Sequence, residues 1–178
     1  MRQIYIVILL LTASVSFSQR HLKNEKGLGI DGGITDLGWY VAPTFSYQVS
    51  NRIYLKSELM YESAEMDVNS VSTKFNSFYL NVGAYYNLFH FKEFFFFNLG
   101  AGLQGTYADT KNIRASTGGE NSPVNEIELD GGLYGGVEGE FYLTDRCVFL
   151  LNFKQAYQPT GNFGNWIPFT GGGFKYNF

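Results

Sequence analysis

Side chains of opposite character alternate along most of this chain, and this two-residue period constrains the fold more than any other feature of the sequence. Between residues 53 and 62 the odd positions are mostly apolar, from Ile53 to Tyr61, whereas the even positions include Lys56 and Glu58. Successive side chains of a β-strand point to opposite faces, so this pattern predicts strands with two unlike faces. No stretch after residue 19 keeps a convincing 3.6-residue apolar period. We therefore expect an all-β fold.

The alternation runs through several segments, and the connections between them differ in length at regular intervals. The predicted strands are residues 27–34, 39–49, 53–62, 77–88, 94–106, 127–143, 147–157 and 166–178. Every second connection is tight (50–52, 89–93 and 144–146), whereas three of the other four are long and polar (63–74, 107–126 and 158–165). Short turns at one end and longer loops at the other are typical of outer-membrane barrels, whose closure leaves no backbone edge unpaired in hydrocarbon. The sequence thus predicts a closed eight-stranded antiparallel up-and-down transmembrane barrel, surrounded by outer-membrane lipid, with both termini in the periplasm.

Composition excludes several functional classes. Aromatic residues make up 18% of the 178 residues and charged residues only 16%, which is below the ~25% of ordinary soluble domains. A chain so rich in aromatic residues is not disordered. Its net charge of −3 argues against direct binding of nucleic acid. One cysteine, Cys147, and two histidines provide neither a disulfide framework nor a cysteine-rich metal site, so we predict no cofactor and no metal.

The first residues have the features of an export signal. Arg2 precedes an unbroken apolar run over residues 4–11, and small residues follow as far as Ser18. This order predicts a signal peptide over residues 1–18 that is removed on export. The alternative is a membrane anchor, but the apolar run is far shorter than the ~20 residues of a spanning helix. The barrel domain is then expected over residues 19–178.

The two faces of the predicted strands differ in charge. The alternative to a membrane barrel is a soluble lipocalin-type barrel, which keeps its apolar face inside and its charges outside. In the membrane barrel the charged face points inward, and unpaired charges there would cost several kcal/mol. We therefore expect an interior charge network, whose members are Lys56, Glu58, Glu138, Glu140, Lys154 and Lys175. Side chains fill the interior of an eight-stranded barrel, so its expected role is structural, with conduction of protons or ions as the alternative.

Large aromatic residues lie near the ends of the predicted strands. Trp39, Tyr61, Tyr157 and Trp166 lie beside the long loops, and Phe141 lies at the opposite strand ends. Girdles of aromatic residues mark the two interfaces of an outer-membrane barrel with its bilayer. These five residues are therefore predicted to be membrane-interface aromatics.

The C-terminal strand resembles the signal by which bacterial outer-membrane barrels are recognised by their assembly machinery. The matching features are the alternating aromatic residues Phe174 and Tyr176 and the terminal Phe178, and the predicted signal also includes Gly172, which precedes them. The resemblance implies that the barrel-assembly machinery is a partner. The alternative is an ordinary strand at the end of the chain.

A second resemblance extends over most of the predicted mature chain in strand order. The stretch from Glu140 to Arg146 reads Glu-Phe-Tyr-Leu-Thr-Asp-Arg and precedes the apolar segment 147–153. It resembles the conjugative-transposon protein TraO family of the Bacteroidetes, although residues 22–26 replace the Pro/Gly-containing opening expected there. The resemblance implies an outer-membrane component of a conjugative transfer apparatus, with other conjugation proteins as partners.

No catalytic residues are predicted. A lipid-modifying barrel enzyme would need a His base beside a Ser near the outer leaflet, whereas His21 lies in the N-terminal tail and His90 in a periplasmic turn. Cys147 is expected to face lipid or headgroups. Two further non-enzymatic roles stay open: an adhesion or binding barrel whose long loops meet partners outside the cell, and a general structural protein of the envelope.

Overall fold

The computed structural model describes residues 23–68, 71–110, 126–159 and 166–178, which form eight β-strands. The strands are β1 (Lys26–Thr35), β2 (Gly38–Ser50), β3 (Ile53–Val68), β4 (Val71–Phe91), β5 (Phe95–Thr110), β6 (Glu126–Tyr142), β7 (Cys147–Tyr157) and β8 (Trp166–Asn177). Among these described residues there is no helix long and apolar enough to cross a membrane. The predicted signal peptide, residues 1–18, lies outside the described residues.

Each strand pairs antiparallel with its neighbours in sequence, and β8 pairs with β1 to close the barrel. The stagger follows from the residues paired around the barrel from β1 to β8: Gly27, Ser46, Lys56, Gly83, Gly102, Tyr134, Ala156 and Ile167. Thr35 of β1 pairs with Phe169 of β8, so the same antiparallel register places Ile167 opposite residue 37. One circuit of the barrel that begins at Gly27 thus returns to the β1 side at residue 37, which is a stagger of ten residues. With a rise of ~3.4 Å per residue and strands ~4.8 Å apart, that stagger tilts the strands by about 40°.

The alternation of the sequence becomes an inward and an outward face around the whole barrel. On β3, Tyr54, Lys56 and Glu58 are buried in the lumen, whereas Leu55 and Leu59 are about half exposed on the outside. The same division holds on the other strands, so charges line the lumen and large apolar side chains cover the exterior. A soluble barrel of lipocalin type has the opposite arrangement. The predicted closed eight-stranded transmembrane barrel fold is therefore confirmed.

Both ends of the described chain meet at the end of the barrel that carries the tight turns. The backbones of Lys26 and Phe178 exchange two hydrogen bonds, of 3.1 and 2.8 Å. The turns at this end lie at residues 51–52, 92–94 and 143–146, close to their predicted positions. We call this the turn end of the barrel and the opposite one the loop end.

The prediction of a long loop over residues 63–74 is wrong. β3 continues to Val68 and β4 begins at Val71, and these two residues are paired. Polar residues do not end a strand once it has left the hydrocarbon, because the partner strand still satisfies its backbone groups. The loop predicted over residues 107–126 is also shortened from both sides, and residues 111–125 lie outside the described part of the chain.

Candidate functional site

A cluster of charged side chains fills the middle of the lumen, and Lys56 of β3 lies at its centre. Its Nζ atom lies 2.9 Å from Asp31 Oδ2, 3.1 Å from Glu58 Oε1 and 2.6 Å from Glu138 Oε2. A second ammonium, Lys154 Nζ, lies 2.5 Å from Glu58 Oε2. All five side chains are at most 4% exposed. These ion pairs connect β1, β3, β6 and β7 across the lumen, so they hold opposite walls of the barrel together.

Neutral polar groups add hydrogen bonds to this cluster. The Tyr54 hydroxyl donates to Glu138 Oε1 at 2.6 Å. Asn81 Nδ2 donates to Glu58 at 3.1 Å, and Asn152 Nδ2 donates to Asp31 at 3.3 Å. Such hydrogen bonds offset part of the cost of burying a charge, although Asp31 Oδ1 has no hydrogen-bond partner among the described residues. The cluster is therefore built as a connected network.

The structure places all six predicted network residues on the lumen side and gives each lysine a carboxylate partner. Lys175 Nζ lies 2.8 Å from Glu140 Oε1, on the turn-end side of the central cluster. The sequence analysis missed Asp31, which contacts Lys56 and is only 1% exposed. Its position alternates with the outward residues Leu28, Ile30 and Ile34, so the period applied to the other strands would have found it.

Aromatic side chains fill the lumen on either side of the charges. Tyr40 and Tyr79 pack edge-on against Phe169 toward the loop end, at centroid distances of 5.8 and 5.6 Å. Toward the turn end, Phe96 packs against Tyr142 at 5.3 Å, with Val148 and Leu150 buried beside them. Through the described part of the chain, the lumen is thus occupied by side chains from one end to the other.

Two glycines make room for a further lumen ring, that of Tyr134. A Cβ added at Gly83 or Gly102 would meet the ring of Tyr134 at 2.9 or 2.7 Å. Gly83 and Gly102 are paired on neighbouring strands, so together they form a flat patch on the inner wall. The absence of side chains there lets an inward tyrosine lie close to the backbone.

A belt of outward aromatic side chains runs near the loop end. On successive strands, Trp39 contacts Tyr61 at a centroid distance of 5.9 Å, Tyr61 contacts Phe78 at 5.3 Å, and Phe78 lies 6.4 Å from Tyr107. Tyr157 and Trp166 form a further pair at 4.8 Å. Four of the five predicted interface aromatics therefore lie in this loop-end belt.

A second belt surrounds the turn end. Its rings are in contact across β4 to β8: Phe89 with Phe97 at 5.1 Å, Phe95 with Phe141 at 4.7 Å, Phe141 with Phe149 at 6.2 Å, and Phe149 with Phe174 at 5.4 Å. Phe141, the fifth predicted interface residue, lies in this turn-end belt. The belts are eight to eleven residues apart on β7 and β4, which for tilted strands is roughly 20–30 Å along the barrel axis. That separation matches an apolar band of ~25 Å.

The residues of the predicted assembly signal lie along the outer face of β8 and at its end. Phe174, Tyr176 and Phe178 are each about half exposed. Gly172 precedes them on the same face, opposite Leu151 of β7. The structure thus presents a row of outward aromatic rings at the closing strand, and their recognition by an assembly machinery stays a prediction.

The residues considered for catalysis are not brought together. His90 lies at the turn-end edge of β4, exposed and stacked on Phe96 at 5.4 Å. Cys147 is an exposed free thiol at the start of β7. His21 lies outside the described residues. Within the described ranges there is also no group of three or more His, Cys, Asp or Glu side chains placed to hold a metal.

At the loop end, the β3–β4 hairpin extends beyond the rest of the barrel. β2 pairs with β3 only as far as Ala64, and β5 pairs with β4 only from Asn76. Residues 66–68 and 71–75 are therefore paired with β4 and β3 alone, and we call them the outer ribbon. It reaches seven residues beyond Tyr61 of the belt, or ~23 Å along the strand. Both of its outer edges expose backbone groups that no described strand pairs with.

Comparisons with known proteins agree with this architecture. No family model matches the chain, and no curated protein matches it in sequence. Among solved structures, Neisserial surface protein A is 14% identical, with a TM-score of 0.64 over 86% of this chain and 96% of that one. The outer membrane protein OprG from Pseudomonas aeruginosa is 13% identical, with a TM-score of 0.61 over 90% of this chain and 99% of that one.

A third similar structure is Ail, the attachment invasion locus protein of Yersinia pestis, in complex with the heparin analogue sucrose octasulfate. It is 11% identical, with a TM-score of 0.58 over 88% of this chain and all of the other. At such low identities the likeness shows a shared fold, that of small outer-membrane barrels, and carries no function with it.

Proposed function

We propose that this chain is a non-enzymatic, non-conducting barrel of the bacterial outer membrane that presents the outer ribbon and residues 111–125 to partner proteins outside the cell. The observation that carries the proposal is the outer ribbon, which extends beyond the aromatic belt and has two edges that no strand of the described ranges pairs with. An exposed strand edge offers backbone donors and acceptors to a strand of another protein. A barrel filled by ion pairs is a rigid base for such a ribbon.

The proposed orientation places the turn end in the periplasm. Its support is the length difference between the ends, because periplasmic turns of outer-membrane barrels are short and extracellular loops longer. Cys147, exposed at the turn end, gives a direct test. On intact cells a membrane-impermeant maleimide is expected to leave Cys147 unlabelled and to label a C147S chain carrying N69C at the loop end. Labelling of Cys147 alone would show that the orientation is reversed.

The absence of conduction follows from the filled lumen. Ion pairs span the middle of the barrel and aromatic rings lie on both sides of them. A continuous water path would require several of these contacts to break together, at a cost of several kcal/mol for each stranded charge. This supports a structural role for the network over the conduction of protons or ions.

The loop end is acidic by sequence, which bears on the kind of partner. The strand ends and the connecting segments there carry acidic residues at positions 36, 65, 67, 109, 120, 126, 128 and 130 against basic residues at 74, 111 and 114. A heparin-like polyanion, the ligand type in the Ail structure, has the wrong charge for this surface. A partner with a basic surface is favoured.

Site-specific photo-crosslinking on living cells tests the ribbon. A photoreactive amino acid at residue 72 is expected to give a discrete protein adduct, whereas the same group at the lipid-facing position Ile30 is expected to give none. Replacing residues 66–73 by Asn-Gly joins Glu65 to Lys74 through a two-residue turn and leaves the barrel intact. The shortened chain is expected to lose the partner while still assembling. Equal adducts at both positions, or none at residue 72, would contradict the proposal.

Deletion of residues 110–123 provides a parallel test of the segment 111–125. If the role is adhesion or binding, the deletion variant is expected to assemble but to bind its partner more weakly than the wild-type protein does. A general structural role for the envelope instead predicts unchanged binding and altered envelope integrity when the whole chain is removed.

A second candidate is a component of a conjugative transfer apparatus. It is supported by the resemblance of the stretch from Glu140 to Arg146 to the TraO family, a stretch that includes the β6–β7 turn. The test is mating frequency after clean deletion, with envelope integrity as the control. Transfer at the wild-type frequency would eliminate this candidate.

A further inference from the structure

Two arginines at the turn end contact outward tyrosines in the same way. Arg52, in the β2–β3 turn, donates from Nη1 to the Tyr86 hydroxyl at 3.2 Å. Arg146, in the β6–β7 turn, donates from Nη1 to the Tyr176 hydroxyl at 3.2 Å. Both tyrosines are more than 40% exposed on the outside of the barrel. These contacts therefore hold each guanidinium at the outer edge of the barrel mouth, where lipid headgroups meet the wall.

The remaining turn has a cation in a similar place. Lys92, in the β4–β5 turn, carries its Nζ atom 5.8 Å from the centre of the Phe91 ring. Phe91 is 61% exposed on the outer face. Each of the three tight turns thus combines one exposed cation with one outward aromatic ring, which is the pair of groups that residues at a membrane interface use.

A cavity of about 520 Å³ opens at the mouth of the lumen, between the β2–β3 and β4–β5 turns. Its lining residues are Asn51, Arg52, Asn87, His90, Lys92, Glu93 and Phe96. Two of them, Arg52 and Lys92, are basic and one, Glu93, is acidic, and the asparagines offer amide donors. Asn87 and Phe96 face the lumen, so the cavity lies inside the rim of the barrel mouth and brings Arg52 and Lys92 to one stretch of that rim.

We propose that the turn end binds the phosphodiester headgroups of anionic phospholipids in the leaflet that surrounds it, with one headgroup at the rim beside Arg52 and Lys92 and another at Arg146. The proposal deepens the membrane role proposed above and rests on it. Phosphate oxygens accept charge-assisted hydrogen bonds from guanidinium and ammonium groups. The aromatic rings beside these cations place them level with the headgroups, where acyl chains end.

The distribution of charge favours an anionic ligand at this end. Outside the lumen, the described turn-end residues include five basic side chains (Lys23, Lys26, Arg52, Lys92 and Arg146) and three acidic ones (Glu25, Glu93 and Asp145). At the loop end the exposed described residues include Asp36 and Glu65. Basic residues at the surface of an anionic leaflet attract its lipids, so the turn end is the one that prefers such a leaflet.

The experiment compares lipid retention by the mature barrel in nanodiscs of phosphatidylcholine and phosphatidylglycerol mixed four to one. After exchange into detergent, the two retained lipids are counted by native mass spectrometry. Wild type is expected to retain more phosphatidylglycerol than its fraction in the nanodisc lipid. In R52Q/K92Q this excess is expected to be at least fivefold smaller. One cation near an anionic lipid surface accounts for about a fivefold effect. The matched control K23Q/K26Q removes the same charge at the same end without touching a turn.

Retention of the excess by R52Q/K92Q, or an equal loss in K23Q/K26Q, would overturn the proposal, because each outcome means that the turns form no particular site. Displacement of the lipid by millimolar glycerol phosphate would reassign the site to a free phosphate ester. R52K is expected to keep the preference and Y86F to weaken it. A heat-shift gel verifies that each variant is folded, and R52Q and K92Q separately replace the double variant if it does not fold. Both leaflets of a nanodisc are identical, so a reversed orientation in cells would change the cysteine labelling above and leave this result unaffected.

Discussion

Removing the central ammonium is the perturbation that tests the lumen network most directly. Lys56 Nζ contacts carboxylate oxygens of Asp31, Glu58 and Glu138 within 3.1 Å, and its side chain is 4% exposed. In K56M, Glu58 keeps its ion pair with Lys154, whereas Asp31 and Glu138 lose the ammonium group that they contact. Loss of one partner from a buried ion pair costs about 3–5 kcal/mol. We expect K56M to lower the free energy of unfolding by about 4 kcal/mol.

Lys175 serves as the matched control, because it is also a lumen lysine. It forms one ion pair, with Glu140, and its side chain is 9% exposed. K175M is expected to lose about 2 kcal/mol, the usual range for one charged hydrogen bond. Neutralising one acid as well, in K56M/E138Q, is expected to recover part of the K56M loss, with a coupling of about 1–3 kcal/mol.

The measurement is urea unfolding in phosphatidylcholine vesicles, followed by the fluorescence of Trp39 and Trp166 and by the heat shift on gels. Both tryptophans are exposed on the outer face, so their emission changes when they leave lipid. The reasoning is refuted if K56M unfolds within 1 kcal/mol of wild type, or if K175M is the more damaging substitution. Either result would mean that the central ion pairs do not hold the barrel walls together.

Three further predictions concern the wall, the closing strand and the lumen. Gly102→Ala is expected to lower the free energy of unfolding by about 1–3 kcal/mol, because the added Cβ meets Tyr134 and the backbone of the neighbouring strand. Gly131→Ala, with open space around it, is expected to change the free energy of unfolding by less than ~1 kcal/mol. Urea unfolding of the two variants measures the difference. Deleting Phe178 is expected to reduce the assembled barrel in cells, seen on immunoblots, while leaving the unfolding midpoint in vesicles nearly unchanged. In planar bilayers the wild-type barrel is expected to give no steady open channel, and a stable conducting state would contradict the filled lumen.

Much of this structure was predictable because the period of a strand is local. Side chains alternate between faces in any strand, so polarity at alternate positions identified the inward sets, including the six charged network residues, before any pairing was known. The tight turns and the aromatic strand ends were visible for the same reason. The aromatic run at the start of β5, residues 94–97, gave no clear alternation in sequence. The fold resolved it, because Phe96 points into the lumen whereas Phe95 and Phe97 join the turn-end belt.

Other features depended on the closed barrel. Which carboxylate reaches which lysine is set by the ten-residue stagger, and Glu138 and Lys56 meet although they are 82 residues apart in sequence. The outer ribbon also escaped the sequence analysis, because membrane-crossing strands were recognised by an apolar face that ends where the bilayer ends. Hydrogen bonding between β3 and β4 continues beyond that level. The sequence by itself determined the faces of the strands, since those depend on neighbouring residues, whereas register, ion pairing and strand length were decided by contacts between distant ones.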